Sequence, residues 1–175
     1  TLKNFTPSYR VEASGLENAK NVERLMGNLR QIDRFALIDT PPGLGSDGRS
    51  ILLQNSDWVI VPFQYELTTA ISTNGFLKWV KKEPLLGSAF WKRMILVPNR
   101  IQIGAGNANE RERGEQLREM LEKIVIISPQ IDQRKDIERT KTVMLSSVQH
   151  RLLDEVFDFI YNKIISEDKI VVNED

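Results

Sequence analysis

The sequence predicts an α/β fold, a mostly parallel sheet flanked by helices, and two observations support that prediction. Short continuous apolar runs recur along the chain, and segments with three- and four-residue apolar spacing separate them. Continuous apolar runs are typical of strands buried on both faces, and helices between them make parallel crossover connections. A length of 175 residues fits one such unit. We therefore expect residues 1–175 to form a single α/β domain.

The N-terminal half contains three predicted strands and one long helix. Residues 9–13 have the composition of a short strand, and Ser14 can cap the helix that follows. Residues 35–38 form an apolar run that ends at Asp39, and residues 58–63 form a second run rich in β-branched side chains. The helix is predicted from apolar residues at helical spacing, namely Leu16, Ala19, Val22, Leu25, Met26, Leu29 and Ile32.

The C-terminal half continues the alternation. Apolar periodicity predicts helices over residues 67–82, 110–123 and 149–166. Strands are predicted at residues 94–98 and 125–128, which are short apolar runs between those helices. Residues 167–175 are acidic and lack this periodicity, so we expect a loose acidic tail there.

Composition limits the chemistry. The chain has no Cys and one His, His150, which rules out thiol chemistry, a Cys–His zinc site and a multi-histidine metal site. No recognisable Ser or Asp motif accompanies His150, so a surface or capping role is expected. The 24 basic and 24 acidic residues cancel, but residues 78–100 carry a net +5 and residues 151–175 a net −4. Such a stretch is most often a solvent-exposed face, but Trp79, Phe90 and Trp91 lie inside it, and a basic and aromatic surface can also contact nucleic acid or a partner protein.

Residues that directly follow the predicted strands are the candidates for binding. Ligands of parallel sheets bind outside the carboxyl ends of the strands. Asp39 ends one run, where phosphoryl-transfer sites place a Mg²⁺-binding carboxylate, although an ordinary turn explains it as well. Asn99 and Arg100 follow the run at 94–98, and Pro129 follows the run at 125–128.

Two glycine patterns bear on phosphate binding. Residues 43–48 match the dinucleotide-binding pattern G-x-G-x-x-G, and Glu66 lies about 20 residues on, where a ribose-binding acid is expected. The match is weak, because Thr40-Pro41-Pro42 separates the predicted strand from the first glycine. No G-x-x-x-x-G-K-[ST] loop occurs anywhere in the chain. This sequence therefore has no recognisable element that would cradle β- and γ-phosphates.

Four segments together resemble the ParA/MinD-type partition ATPases, the deviant-Walker P-loop family. The first is residues 35–45, Phe-Ala-Leu-Ile-Asp-Thr-Pro-Pro-Gly-Leu-Gly, which resembles that family's second nucleotide motif. Residues 55–62, 94–100 and 126–137 resemble the next strands and the loop behind the last one. The four occur in the family's order over about residues 9–165, so the fold expected is P-loop NTPase-like and incomplete at its N-terminus.

The resemblance implies roles for particular residues. Asp39 would be the catalytic residue of the site and would contact the Mg²⁺ shell, through water. Asn99, Arg100 and Pro129 would face the base and ribose of ATP. The γ-phosphate would be sensed by a switch-like segment made of Thr40, Pro41, Pro42 and Gly43.

The resemblance also implies partners. An ATP-dependent homodimer would bind DNA and a ParB-like protein in the bacterial cytoplasm, during plasmid, chromosome or mobile-element partitioning. We expect Lys81, Lys82, Lys92 and Arg93 to contact DNA phosphates, and no membrane role, because the C-terminal end is acidic rather than basic and amphipathic.

The family's lysine-rich phosphate loop is absent, so the chain is either part of a longer ATPase or a remnant that no longer binds ATP. We favour the first, and expect no ATP hydrolysis by this chain alone. Two alternatives remain open: a nucleotide-free interaction module, and a related P-loop amidase or synthetase such as a cobyrinate amidase or dethiobiotin synthetase.

Overall fold

The computed structural model describes residues 18–40, 47–65, 67–102, 108–138 and 145–171. Within these ranges helices separate the strands, as the sequence predicts. The strands are β1 (Val59–Phe63), β2 (Met94–Pro98) and β3 (Ile126–Ile127). The helices are α1 (Ala19–Leu29), α2 (Asp47–Asn55), α3 (Leu67–Lys82), α4 (Ala108–Glu122), α5 (Lys135–Glu138) and α6 (Ser147–Val171), with a 3₁₀ helix at Ser88–Arg93.

The three strands form one parallel sheet in the order β1-β2-β3. Val59 pairs with Met94 and Phe63 with Pro98, while Ile95 pairs with Ile126. The central strand β2 is buried along its whole length, which explains why its sequence is continuously apolar. The α/β class and the parallel sheet are therefore confirmed at this coarse level.

Helices cover both faces of the sheet. On one face α3, α4 and the 3₁₀ helix close a core around Phe63, Phe90 and Leu96. On the other face Val156 of α6 packs against Ile95 and Val97. A separate small cluster joins α1 to α2 through Val22, Met26 and Leu52.

Residues 35–38 are not a strand, so this prediction was wrong. They pair with no described strand, and Phe35 and Leu37 are 72% and 92% exposed. Ile38 packs against the cluster between α1 and α2, and the Phe35 ring lies 6.5 Å, between centroids, from the Tyr161 ring of α6. An apolar run becomes a buried strand only where neighbours accept its backbone hydrogen bonds and cover its side chains, and the described residues supply neither.

Several element boundaries differ from the predictions. The first helix begins at Ala19, and Asn18 caps it by accepting from the Asn21 N–H; the predicted strand at 9–13 and Ser14 lie outside the described residues. The strand predicted over 125–128 contracts to Ile126–Ile127, although Ser128 still donates to the Leu96 carbonyl. The last helix continues to Val171, so residues 167–171 of the predicted loose tail are helical. None of the helices in the described ranges has the length and apolarity needed to cross a bilayer.

Candidate functional site

The carboxyl edge of the sheet holds three of the residues singled out from the sequence. Asn99 follows β2 and is half-buried, and its backbone N–H donates to the Phe63 carbonyl of β1 at 2.8 Å. This bond keeps Asn99 in register with the end of β1 after the β2 strand has ended. Asn99 therefore has a fixed starting position at the sheet edge.

The loops after β2 and β3 are joined by backbone hydrogen bonds. Ile131 N–H donates to the Pro98 carbonyl at 2.7 Å, and Ile101 N–H donates to the Ile131 carbonyl at 3.0 Å. Gln133 N–H then donates to the Ile101 carbonyl at 2.8 Å. These bonds extend the parallel pairing beyond the strands and bring Asn99, Arg100 and Pro129 to one edge of the sheet.

Arg100 has an unusual backbone conformation. Its φ of 56° lies in the left-handed region, and it is the one non-glycine residue with positive φ in the described part of the chain. Such conformations are held by their surroundings and cluster at functional sites. The guanidinium lies 3.5 Å from the Glu138 carboxylate, with both side chains largely exposed, so the ion pair contributes little stability.

An open cleft of about 580 Å³ lies between the two loops. Its lining residues are Gln102, Gln133, Arg134, Lys135 and Glu138. A chain of side-chain hydrogen bonds crosses it: Gln102 Nε2 donates to Gln133 Oε1 at 2.7 Å, and Gln133 Nε2 donates to Glu138 Oε1 at 2.9 Å. All five lining side chains are exposed, so the cleft is open to solvent and lacks the enclosure of a typical small-ligand pocket.

Gln149 holds α5, which forms one side of this cleft, against α6. It is buried near the start of α6 and forms a capping box with Ser146, each side chain bonding the other residue's backbone N–H. Its Nε2 also donates to the Asp136 carbonyl of α5 at 2.5 Å. The short helix α5, which carries Lys135 and Glu138 of the cleft, is thereby tied to the long helix α6.

Tyr65 closes the end of β1 on the opposite face of the sheet. Its ring packs edge-on against Phe63, at 5.2 Å between ring centroids, and its hydroxyl is buried near the Arg118 guanidinium. Burial raises the pKa of the Tyr65 phenol above 10.0, and the neighbouring Arg118 charge acts in the opposite direction. Tyr65 is therefore a neutral packing residue below pH 10.

The residues proposed for Mg²⁺ and the γ-phosphate are not assembled into a site within the described ranges. Asp39 and Thr40 are exposed and lie in the extended segment that the sheet does not include. Pro41, Pro42, Gly43 and Glu66 fall outside the described residues. His150 is exposed and lies 3.9 Å from Asp154, in keeping with a surface role.

The described residues provide different support for the base of a nucleotide and for its phosphates. Asn99 and Pro129 offer a carboxamide and an apolar ring where a base could lie. No group of three His, Cys, Asp or Glu able to hold a metal occurs in the described part of the chain. Mg²⁺ bound by one carboxylate needs nucleotide phosphates as further ligands, and no described backbone segment cradles them. The described residues therefore offer side chains suited to a base and no cradle for a triphosphate.

The basic residues lie at the other end of the sheet. Lys81 and Lys82 end α3, and Lys92 lies in the last turn of the 3₁₀ helix that leads into β2, which places all three exposed side chains at the amino edge. Arg93 is engaged inside the protein: Nη1 and Nη2 donate to the Ser56 and Gln54 carbonyls at 2.6 and 3.0 Å. The nearby aromatic rings pack into the core, with Phe90 buried and Trp79 and Trp91 half-buried against it.

Sequence reasoning missed the cleft and the residues that build it. Ser146-Ser147-Val148-Gln149 matches the capping-box pattern, so that anchor was detectable. The Gln102–Gln133–Glu138 hydrogen-bond chain could not be detected from the sequence, because it joins two loops about 30 residues apart, and the pairing of those loops depends on the sheet.

Comparison of the chain with protein families, with curated proteins and with solved structures finds no match.

Proposed function

We propose that this chain is the C-terminal part of a ParA-like ATPase that acts as an ATP-dependent dimer switch in DNA partitioning. One observation carries the proposal: Asn99, Arg100 and Pro129 converge at the carboxyl edge of a parallel sheet. That edge is where open α/β sheets bind ligands. The four sequence segments that resemble the partition ATPases supply the choice of nucleotide.

The base end of ATP would lie between the loops after β2 and β3. Carboxamides such as that of Asn99 pair with the donor and acceptor groups on a base edge. Asp39 would be the residue nearest the metal. Mg²⁺, when bound, would neutralise charge on the nucleotide phosphates. The phosphates themselves require a further segment, because the described residues provide no cradle for them.

Among the described residues no strand pairs with β1 on the side away from β2, which supports the idea of such a segment. The Phe63 carbonyl accepts from Asn99, so the backbone polar groups of Phe63 face β2. Those of the preceding residue, Pro62, face the opposite side of β1, where the N–H that proline lacks is not needed for pairing with β2. Ile60 is 40% exposed on this strand, and Phe35 and Leu37 are largely exposed in residues 35–38. A strand between these two segments would cover apolar surface on both.

The nucleotide assignment is tested by measuring Mg²⁺–ATP affinity of the protein encoded by the whole reading frame that contains this chain. Asn99→Ala should weaken ATP binding about tenfold or more, because a buried hydrogen bond to the base is lost. Asn28→Ala, on the exposed face of α1, is the matched control. Equal affinities for the Asn99→Ala and wild-type proteins would refute the base site.

DNA binding is proposed for the amino edge, through Lys81, Lys82 and Lys92. Each lysine that neutralises a phosphate contributes about −0.9 to the slope of log K against log[salt]. Replacing all three by Glu should weaken binding and reduce that slope by about 2–3. Lys20→Glu on α1 should leave both unchanged. An unchanged slope in the triple variant would remove DNA from the proposal.

The dimer switch, the ParB-like partner and the bacterial cytoplasm follow from the resemblance and belong to the same proposal. Light scattering of the encoded protein with and without Mg²⁺–ATP tests the switch, which predicts a mass near twice that of the monomer only with nucleotide. A dimer that forms equally without nucleotide would favour the second candidate, a nucleotide-free interaction module. The uncovered side chains Phe35 and Leu37 are the observation that favours that candidate.

A further inference from the structure

The helices α1 and α2 form a small lobe that has an apolar core of its own. Val22 and Met26 of α1 pack against Leu52 of α2, in a cluster separate from the two clusters that flank the sheet. Ile38 packs against the same cluster. We call these two helices, together with residues 38–40, the helical lobe. Because its apolar contacts are mainly internal, the lobe can move as one cooperative unit without losing its core.

Arg93 joins the helical lobe to the sheet and the helices that cover it, which we call the body. It is the last residue of the 3₁₀ helix and directly precedes β2, so its backbone belongs to the body. Its guanidinium donates to the Gln54 and Ser56 carbonyls at the carboxyl end of α2. A helix end of this kind has unsatisfied carbonyls and partial negative charge, which a guanidinium stabilises. The chain itself passes from α2 to β1 through residues 56–58.

The apolar contacts between lobe and body are less extensive than those inside each of them. Leu53 of α2 is partly buried against the large cluster on one face of the sheet. Phe35, just before the lobe, lies beside Tyr161 of α6 but remains largely exposed. The position of the lobe therefore depends strongly on the hydrogen bonds from Arg93.

The Arg93 contact is incompletely satisfied. Its Nε is buried and has no hydrogen-bond partner among the described residues. A buried N–H without a partner costs free energy, which offsets part of what the two bonds to α2 contribute. Arg93 can thus hold the lobe against the body and can also release it, because opening lets water reach the unpaired Nε.

We propose that the helical lobe rotates as one unit about residues 56–58 and that Arg93 holds it in the described position. Release of the guanidinium from the two carbonyls lets α1 and α2 move together, with their shared core intact. Asp39 directly follows Ile38, so the same rotation changes its distance from Asn99 at the carboxyl edge of the sheet. The inference goes beyond the proposed function, since it depends on no nucleotide.

Distances between pairs of spin labels, measured by pulsed electron paramagnetic resonance, test the rotation. The chain has no Cys, so labels attach only where one is introduced. The lobe pair is Glu23→Cys on α1 with Glu119→Cys on α4, and the body pair is Glu119→Cys with Glu155→Cys on α6, all at exposed positions. Arg93→Ala should raise the population of a second distance in the lobe pair about tenfold or more, the effect of losing hydrogen bonds from a charged group. The body pair should keep one distance, and Lys92→Ala should change neither pair.

Arg93→Lys is the second variant, because it retains the charge at the end of α2 but has no planar fork to reach both carbonyls. It should give an intermediate population of the second distance. Hydrogen exchange then separates rotation from unfolding: the amides of α1 and α2 should remain protected in both variants, since the core of the lobe stays intact.

Three outcomes would each overturn the inference. They are an unchanged lobe-pair distance in both Arg93 variants, an equal broadening of the lobe and body pairs, and accelerated exchange throughout α1 and α2. Because the experiment contains no nucleotide, each of these outcomes leaves the proposed function in place.

Discussion

Two apolar segments of this chain, Met94–Pro98 and residues 35–38, have the same sequence character and opposite environments. Leu96 is completely buried in β2, between β1 and β3, while Leu37 is 92% exposed. Each run is short, apolar and followed by a polar residue that was assigned to the binding site. The difference lies in the neighbours: β2 has a paired strand on each side and helices on both faces, and residues 35–38 have no described strand beside them. Apolarity marks a segment that can be buried, and its neighbours decide whether it is.

The strongest way to break this comparison is to truncate one leucine from each segment. Leu96→Ala should lower the free energy of unfolding by about 3–5 kcal/mol, because it removes a buried side chain and leaves a cavity. Leu37→Ala should change it by less than about 0.5 kcal/mol, as is usual for exposed positions. Urea unfolding followed by circular dichroism measures both. A loss above about 1.5 kcal/mol in Leu37→Ala would show that residues 35–38 are covered in solution.

The same comparison explains how much of the structure the sequence could predict. The helix at Leu67–Lys82 and the strand at Met94–Pro98 have their predicted bounds, because their periodicity or apolarity agrees with what surrounds them. Residues 35–38 fail because strand pairing is non-local. In the site, Asn99 and Pro129 were found from their position after a strand, but the glutamine chain depends on a loop-to-loop register that only the folded sheet defines.

A second test applies the comparison to two adjacent basic residues, Lys92 and Arg93, both of which were assigned to DNA. Arg93 bonds two carbonyls at the end of α2 and lies 5.3 Å from the centroid of the Phe90 ring, whereas Lys92 is exposed. Arg93→Ala should destabilise the protein by about 1.5–3 kcal/mol, the range for hydrogen bonds from charged groups. Lys92→Ala should remain within about 0.5 kcal/mol. Thermal unfolding of both variants measures this, and equal effects would mean that the Arg93 contacts do not persist in solution.

A third test concerns α5. Like residues 35–38, α5 lies outside the sheet, but the Gln149 side chain of α6 holds it in place. Gln149→Ala removes one half of a capping box and the bond to the Asp136 carbonyl, and should lower stability by about 1–2 kcal/mol. Hydrogen exchange should accelerate at the Ile137 and Glu138 amides, which belong to the α5 turn. Gln149→Glu should recover part of the stability, since it still accepts from the Ser146 N–H but cannot donate to Asp136. Unchanged exchange in Gln149→Ala would show that α5 is held by other contacts.

The smallest expected effect on stability concerns Tyr65, which lies at the end of β1. Burial raises the pKa of its phenol above 10.0, so the folded protein keeps this proton at a pH where the unfolded chain loses it. Its contribution to stability is therefore complete below pH 10.0 and decreases as the pH rises from there through the pKa of the folded state. Tyr65→Phe should lack this alkaline loss, and below pH 10.0 its stability should lie within about 1 kcal/mol of the wild type, because the variant loses both the buried hydroxyl and its interaction with Arg118. Urea unfolding between pH 9 and 11 measures the difference in slope, with Tyr161→Phe on the exposed surface of α6 as the control. Parallel slopes for Tyr65→Phe and the wild type would mean that water reaches the phenol and that the end of β1 is open.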